Sequence, residues 1–241
     1  GSDPSGTTDT ASNNIGIGVY TLDSITTGDG NVVVGYNAAT ALTTSGSNVI
    51  IGTSAGAAIT TGSGENVIVG NNAAVSLTTG AQNIAIGDNC LATQTTVNGN
   101  VAIGDNAMYA NTSGDSNVGV GLVALNANTS GGANTGIGAN ALDANTTASN
   151  NTGVGYLALS AATTGADNTG IGKDALKAVT TGTRNTGVGW AAGQTIATAN
   201  DNTAMGWSAL FVTTGAENTA IGSYAMQSNT SGASNTALGD H

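Results

Sequence analysis

One signature returns fourteen times along the 241 residues: asparagine, two variable residues, an aliphatic residue, then glycine. The glycines are Gly18, Gly35, Gly52, Gly70, Gly87, Gly104, Gly121, Gly138, Gly155, Gly172, Gly189, Gly206, Gly222 and Gly239, with eleven of the thirteen intervals 17 residues, one 18 and one 16. The asparagines are Asn14, Asn31, Asn48, Asn66, Asn83, Asn100, Asn117, Asn134, Asn151, Asn168, Asn185, Asn202, Asn218 and Asn235. Self-similarity at a fixed period decides the fold before any local propensity is weighed. The extra residue lies in 61–65 and the missing one between Leu210 and Thr213, so both avoid the Asn-to-Gly segment, which is read as the rigid part, and fall where a connecting bend tolerates them.

A 17-residue unit is too short for helical-hairpin repeats, which need about 33 residues or more. Val, Ile and Thr dominate between the glycines, where a helix calls for Ala, Leu, Glu and Lys. The expected fold is all-β: a parallel β-solenoid of about fourteen coils, one per unit, stacked at ~4.8 Å into a rod of roughly 65 Å. Residues 1–6 are read as a tag remnant or linker, and 7–241 as a single repeat domain. The chain joins the repeat at Thr7-Thr8, in the second half of a coil, and stops at Asp240-His241, just after the next coil begins. With no capping element in view, this suggests a piece of a longer fibre or head-to-tail stacking of bare ends.

Within a coil, Asn-x-x-Ile/Val-Gly reads as a short strand with the aliphatic residue inward, ended by a glycine that takes positive φ at a corner. The position three before the glycine shares the aliphatic's face. It is Val or Ile from Ile15 to Val118 and Thr from Thr135 to Thr236, so the expected interior column changes from apolar to hydroxylated. The Asn column is expected to form a ladder of side-chain amides, with a local side-chain-to-backbone turn as the competing account. Adjacent small and Leu residues, as in Ala124-Leu125, would face opposite ways if extended, so a partner chain is expected to bury one of them, unless a bend turns both inward. Cys90 takes the small position of its coil and reads as a small buried residue. Thr-Thr-Gly, as in Thr163-Thr164-Gly165, makes the second corner, where hydroxyls can pair between coils.

Composition excludes much of the remainder. One Cys leaves no disulfide scaffold or Cys-rich zinc site, and one His, His241, leaves little for His-based catalysis. With 39% hydrophobic and only 7% charged residues, the chain does not have the makeup of a disordered solvating segment. A net charge of -11 disfavours nucleic acid, and no apolar run is long enough to span a bilayer. The expectation is a non-enzyme without metal or cofactor.

The motifs Asn-Thr-Ala-Ile-Gly (Asn218 to Gly222), Asn-Val-Ala-Ile-Gly (Asn100 to Gly104) and Asn-Thr-Gly-Val-Gly (Asn151 to Gly155) resemble the head repeats of trimeric autotransporter adhesins. The full unit with Ala-Leu and Thr-Thr-Gly resembles repeats of phage tail-fibre and bacterial surface-fibre proteins. The likeness runs from about residue 7 to the end, although the unit here is longer and its Asn lies one residue closer to the glycine. It implies a left-handed β-roll, three chains side by side in a homotrimer, and an extracellular place on a virion tail fibre or cell surface, in contact with host molecules. The function expected is therefore the shaft or adhesive head of such a fibre. A head-to-tail filament and a glycan-binding or ice-binding module are the alternatives.

Three candidate sites stand out. Tyr156, Lys173, Trp190 and Trp207 each follow a corner glycine, so Tyr156, Trp190 and Trp207 form a candidate glycan platform, against a plain packing role. Lys173, Lys177 and Arg184 fall in one coil but lie near Asp167 and Asp174, which favours solvated ion pairs over an anion site. Glu65, Asp167, Asp201 and Glu217 precede the Asn column but lack the glycine-rich calcium nonapeptide. Ice binding ranks low here, because it favours Thr-x-Thr on one flat strand face, whereas Thr-Thr puts its neighbours on opposite sides.

Overall fold

The computed structural model describes residues 10–241; the remnant or linker expected over residues 1–6 lies outside the described residues. The architecture is all-β, a parallel β-solenoid in which each repeat contributes one three-residue strand, from β1 (Ile15–Ile17) to β14 (Thr236–Leu238). Two compact units divide the chain, residues 1–117 carrying β1–β6 and residues 118–241 carrying β7–β14. Within each, strands follow one another in chain order with no register shift, so that Thr169 lies opposite Thr186 and Val49 opposite Val67. The 18-residue interval leaves that second register intact because its extra residue sits in the bend at 61–65. The 16-residue interval is equally silent: Thr203 still faces Thr219, and Thr213 fills the buried place that Val179 and Ile196 hold in preceding coils, so the missing residue falls at the Thr214-Gly215 corner and not between Leu210 and Thr213 as expected.

The strands face the opposite way from the sequence expectation. In β2 to β13 the middle residue is buried and the two flanking residues are half-buried or exposed. The aliphatic before each corner glycine therefore points outward, as do the residues from Ile15 to Thr236 three before it. Thr135 and its successors do not line the interior. The inward column is the middle one: Val33, Ile50, Ile68, Ala85 and Ala102 in the first unit, Gly136, Gly153, Gly170, Gly187, Ala204 and Ala220 in the second. The Asn side chains, two residues earlier and hence on the same face, are fully buried from Asn31 to Asn218.

The small-plus-Leu pair is also resolved against a partner chain. Ala124 and Leu125, Ala158 and Leu159, and Ala175 and Leu176 are all fully buried within the one chain. The bend that turns both inward is a run of overlapping turns. Ala158 N–H donates to Gly155 C=O and Ala162 N–H to Leu159 C=O, while Leu157 and Leu159 take φ of 56° and 53°. Positive φ at the third residue of a turn is the type II requirement that glycine or asparagine usually meets. Here Leu157 meets it, and the strain there and at the fully buried Leu159 is offset by packing and by bonds to the neighbouring coils, such as Leu157 N–H to Ala139 C=O at 3.1 Å and Leu159 N–H to Ala175 C=O at 3.0 Å.

The size of the leucine position trades against the strand centre. Val33, Ile50 and Ile68 share their coils with Ala39, Gly56 and Ala74, whereas Gly136, Gly153 and Gly170 share theirs with Leu142, Leu159 and Leu176. Each of these leucines also packs under the strand of the following coil: a Cβ on Gly153 would lie 3.2 Å from Leu142 Cγ, and one on Gly170 3.2 Å from Leu159 Cγ. The interior is thus filled by complementary columns, not by one repeated residue, as close packing of a protein core requires. The corner glycines answer a different need. Gly172 has φ +128°, and a Cβ there would meet Gly189 O at 2.5 Å, so the coils could not approach with any other residue.

Candidate functional site

The most extensive built feature is the Asn column. In the first unit Asn31 Nδ2 donates to Asn14 Oδ1 at 3.0 Å, Asn48 to Asn31 at 2.9 Å and Asn66 to Asn48 at 3.0 Å. In the second, Asn168, Asn185, Asn202, Asn218 and Asn235 each donate to the preceding rung at 3.1–3.2 Å. Each Oδ1 also accepts the next rung's backbone N–H, as from Asn185 N to Asn168 Oδ1 at 2.9 Å. The other amide hydrogen reaches a carbonyl at the second corner, Gly182 O at 2.8 Å for Asn168. Two donors and one doubly accepting oxygen are thereby satisfied with the side chain out of water, the condition for a polar column in a packed core. Local turn bonds coexist with it, such as Asn168 Nδ2 to Ala166 O at 3.1 Å.

A second buried amide column escaped the sequence reading. Three residues beyond the Leu position the side chain is aliphatic in Leu42, Ile59 and Leu77, then polar in Gln94 and Asn111. In the second unit the same position is Asn128 and Asn145, then Ala162, Val179 and Ile196. Asn145 Nδ2 donates to Asn128 Oδ1 at 2.8 Å and to Ala148 O at 3.1 Å, but Asn145 Oδ1 is buried without a hydrogen-bond partner because the next rung, Ala162, has no donor. The signal was present as an Asn or Gln directly before a Thr-Thr or Thr-Ser pair in these coils.

At the second corner, hydroxyls do not pair with hydroxyls. At most of these corners the first Thr donates to the equivalent backbone carbonyl one coil on, as from Thr146 to Thr163 O at 3.0 Å and Thr163 to Thr180 O at 3.1 Å. Cys90 is buried, its Sγ 3.2 Å from Gly87 O, and burial pushes its thiol up to about 12, the range of an inert core group.

The surface residues singled out above are engaged with one another. Trp190 and Trp207 stack with centroids 4.4 Å apart and planes at 24°, so each ring covers one face of the other. Lys173 Nζ lies 5.9 Å from the Tyr156 ring centroid. Lys177 pairs with the largely buried Asp174 at 3.0 Å, with Lys173 further off at 3.9 Å. Arg184 makes two bonds to Asp201, 2.7 and 2.8 Å, one coil on; the guanidinium holds the Asp201 carboxyl below its ordinary range. Glu65 accepts from Gln82, Asp167 from Asn150 and Glu217 from Ser234, so the four acids point to neighbours in their own column. Among the described residues no group of three metal-ligating side chains converges, and no helix is long and apolar enough to cross a membrane.

What the geometry defines is a parallel β-solenoid repeat protein whose chemistry is periodic. Compared with known proteins, the chain matches no family model and no curated protein.

Proposed function

We propose that the chain is a structural fibre segment, the shaft or adhesive head of an extracellular appendage such as a phage tail fibre or bacterial surface fibre, associating side by side with copies of itself as a homotrimer. The supporting observation is the outward face of β1–β6. Its two columns, from Ile15 and Ile17 to Val101 and Ile103, are aliphatic at every position and carry no charge in a chain of net charge -11. Val49, Ile51 and Ile86 are 36–39% exposed although flanked by coils on both sides. A protein surface lacking both charge and hydrogen-bonding side chains favours a dry contact, and a second copy has the same axial repeat with which to meet it. The buried amide columns supply stiffness, since opening one coil breaks bonds to both neighbours.

Sedimentation equilibrium tests this reading. A trimer is expected, converted to monomer by Val49→Lys with Ile86→Lys and with an unchanged far-UV CD spectrum; a wild-type chain that is monomeric at all concentrations overturns it. A second reading, carbohydrate contact through Tyr156, Trp190 and Trp207, is favoured by their exposure of 38–49%. Each Trp keeps one ring face unstacked, so Trp207→Ala is expected to abolish binding on a glycan array, and unchanged binding removes this reading.

A further inference from the structure

The outward face of the second unit differs chemically from that of the first. Seven threonines, Thr135, Thr152, Thr169, Thr186, Thr203, Thr219 and Thr236, stand in strict register on β8–β14. Beside them, two residues along each strand, runs Ile137, Val154, Ile171, Val188, Met205, Ile221 and Leu238. The residue between the two columns is Gly or Ala and points inward, so every strand presents one hydroxyl and one aliphatic group.

Among the described residues none of these seven hydroxyls hydrogen-bonds, while the corner threonines Thr129, Thr146, Thr163 and Thr180 all donate to backbone. The outward row is therefore unpaired by construction, half-exposed, and held at fixed spacing by the buried amide rungs behind it. The spacing is a grid of ~4.8 Å between coils and about 6.7 Å between the two columns. A dry protein partner would have to supply a hydrogen-bonding group for every hydroxyl, whereas a water lattice has one at each repeat. The grid lies close to the oxygen repeats of hexagonal ice, and the neutral lattice is matched by a strand face free of charge on an otherwise acidic chain. Thr methyls and aliphatic side chains complete the match, because they tolerate an ordered cage of water that a charged group would disrupt.

We propose that the Thr-x-aliphatic face of β8–β14 binds crystalline water. This differs from the fibre reading and does not depend on it. The pair that carries it is Thr-x-Ile/Val on the strand, not Thr-Thr at the corner.

The test uses the full chain, labelled fluorescently at its N-terminus, in ice-affinity partition and in an ice-recrystallisation assay in frozen sucrose. Incorporation into growing ice and arrest of recrystallisation are expected. Thr169→Lys with Thr186→Lys should abolish both effects, while Thr164→Lys with Thr181→Lys, which places the same charge on the exposed second threonine of the corner, should retain them. Far-UV CD establishes that both variants keep the fold. Exclusion of the wild-type chain from ice, or equal behaviour of the two variants, overturns the proposal. Sedimentation of the same samples separates it from the fibre reading: an oligomer excluded from ice shows the face to be covered by copies, and a monomer incorporated into ice supports this proposal while removing the trimer.

Discussion

Replacing Leu176 by Ala together with Gly187 by Ile would transplant a packing solution from one unit into the other. In the first unit Ala39, Ile50 and Gly56 form a consecutive small-large-small set; in the second the corresponding set is Leu176, Gly187 and Gly193, with Leu176 supplying the volume. Leu176 is fully buried, and a Cβ on Gly187 would come 2.8 Å from its Cγ. Alone, Leu176→Ala leaves a cavity and is expected to cost about 2–5 kcal/mol. Alone, Gly187→Ile overfills the same space and is expected to cost about 1–3 kcal/mol or more. Combined, the new side chain occupies the volume vacated, so the double variant should be more stable than the sum of the singles by about 1–3 kcal/mol. The same Cβ would also lie 2.9 Å from Ala192 O, a backbone contact that neither change relieves, so the rescue should stop short of wild-type stability. Guanidinium denaturation of all four proteins, followed by far-UV CD with midpoints and slopes compared, measures the coupling. Strictly additive losses would refute complementary columns as the way the core is filled.

Further outcomes follow from individual residues. Asn168→Ala removes donors to Asn151 Oδ1 and Gly182 O and the acceptor for Asn185, and with about 1–3 kcal/mol for each buried group left unpaired, the denaturation midpoint should fall well below that of an exposed control such as Thr164→Ala. Ala162→Asn supplies the donor that Asn145 Oδ1 lacks and is expected to raise the midpoint, whereas Ala162→Leu should not. Burial raises the Asp143 carboxyl above its ordinary pKa, so its ionisation opposes folding: stability falls as pH rises from below 3.8 through the raised folded value. Asp143→Asn should accordingly stabilise at pH 7 and have little effect well below pH 3.8, a difference that melts at the two pH values will show. Cys90 should resist thiol reagents in the native chain and react fully in denaturant.

The period, the Asn column and the corner glycines were all legible because each recurs at fixed spacing, whereas the missing residue was placed a few positions early because Thr213-Thr214-Gly215 copies the corner motif while Thr213 takes the buried place before it. Strand facing was not, because the usual cue is absent: Val32-Val33-Val34 and Val67-Ile68-Val69 are apolar throughout, leaving no polar-apolar alternation to fix which face is inward. Constancy was then a misleading guide. The near-constant aliphatic before the glycine lies outside, while the inward residue ranges from Gly153 to Ile50 because its size is set by the leucine position of its coil and by the leucine of the coil before. That inverse relation, and the shared parity of Asn with the residue two later, were the available signals. Burial of both Ala158 and Leu159 was hidden for another reason, since it requires leucine at φ 53°, a conformation that propensity assigns to glycine or asparagine.

Cysteine accessibility tests the facing of the strands most directly. In a Cys90→Ala background, Thr203→Cys, Ala204→Cys and Met205→Cys place a thiol at three successive residues of β12. With a charged, membrane-impermeant thiol reagent under native conditions, the first and third are expected to label rapidly and Ala204→Cys to stay protected until the chain is unfolded. Rapid labelling of Ala204→Cys with protection at its two neighbours would contradict the fold, the outward aliphatic face and the hydroxyl row together.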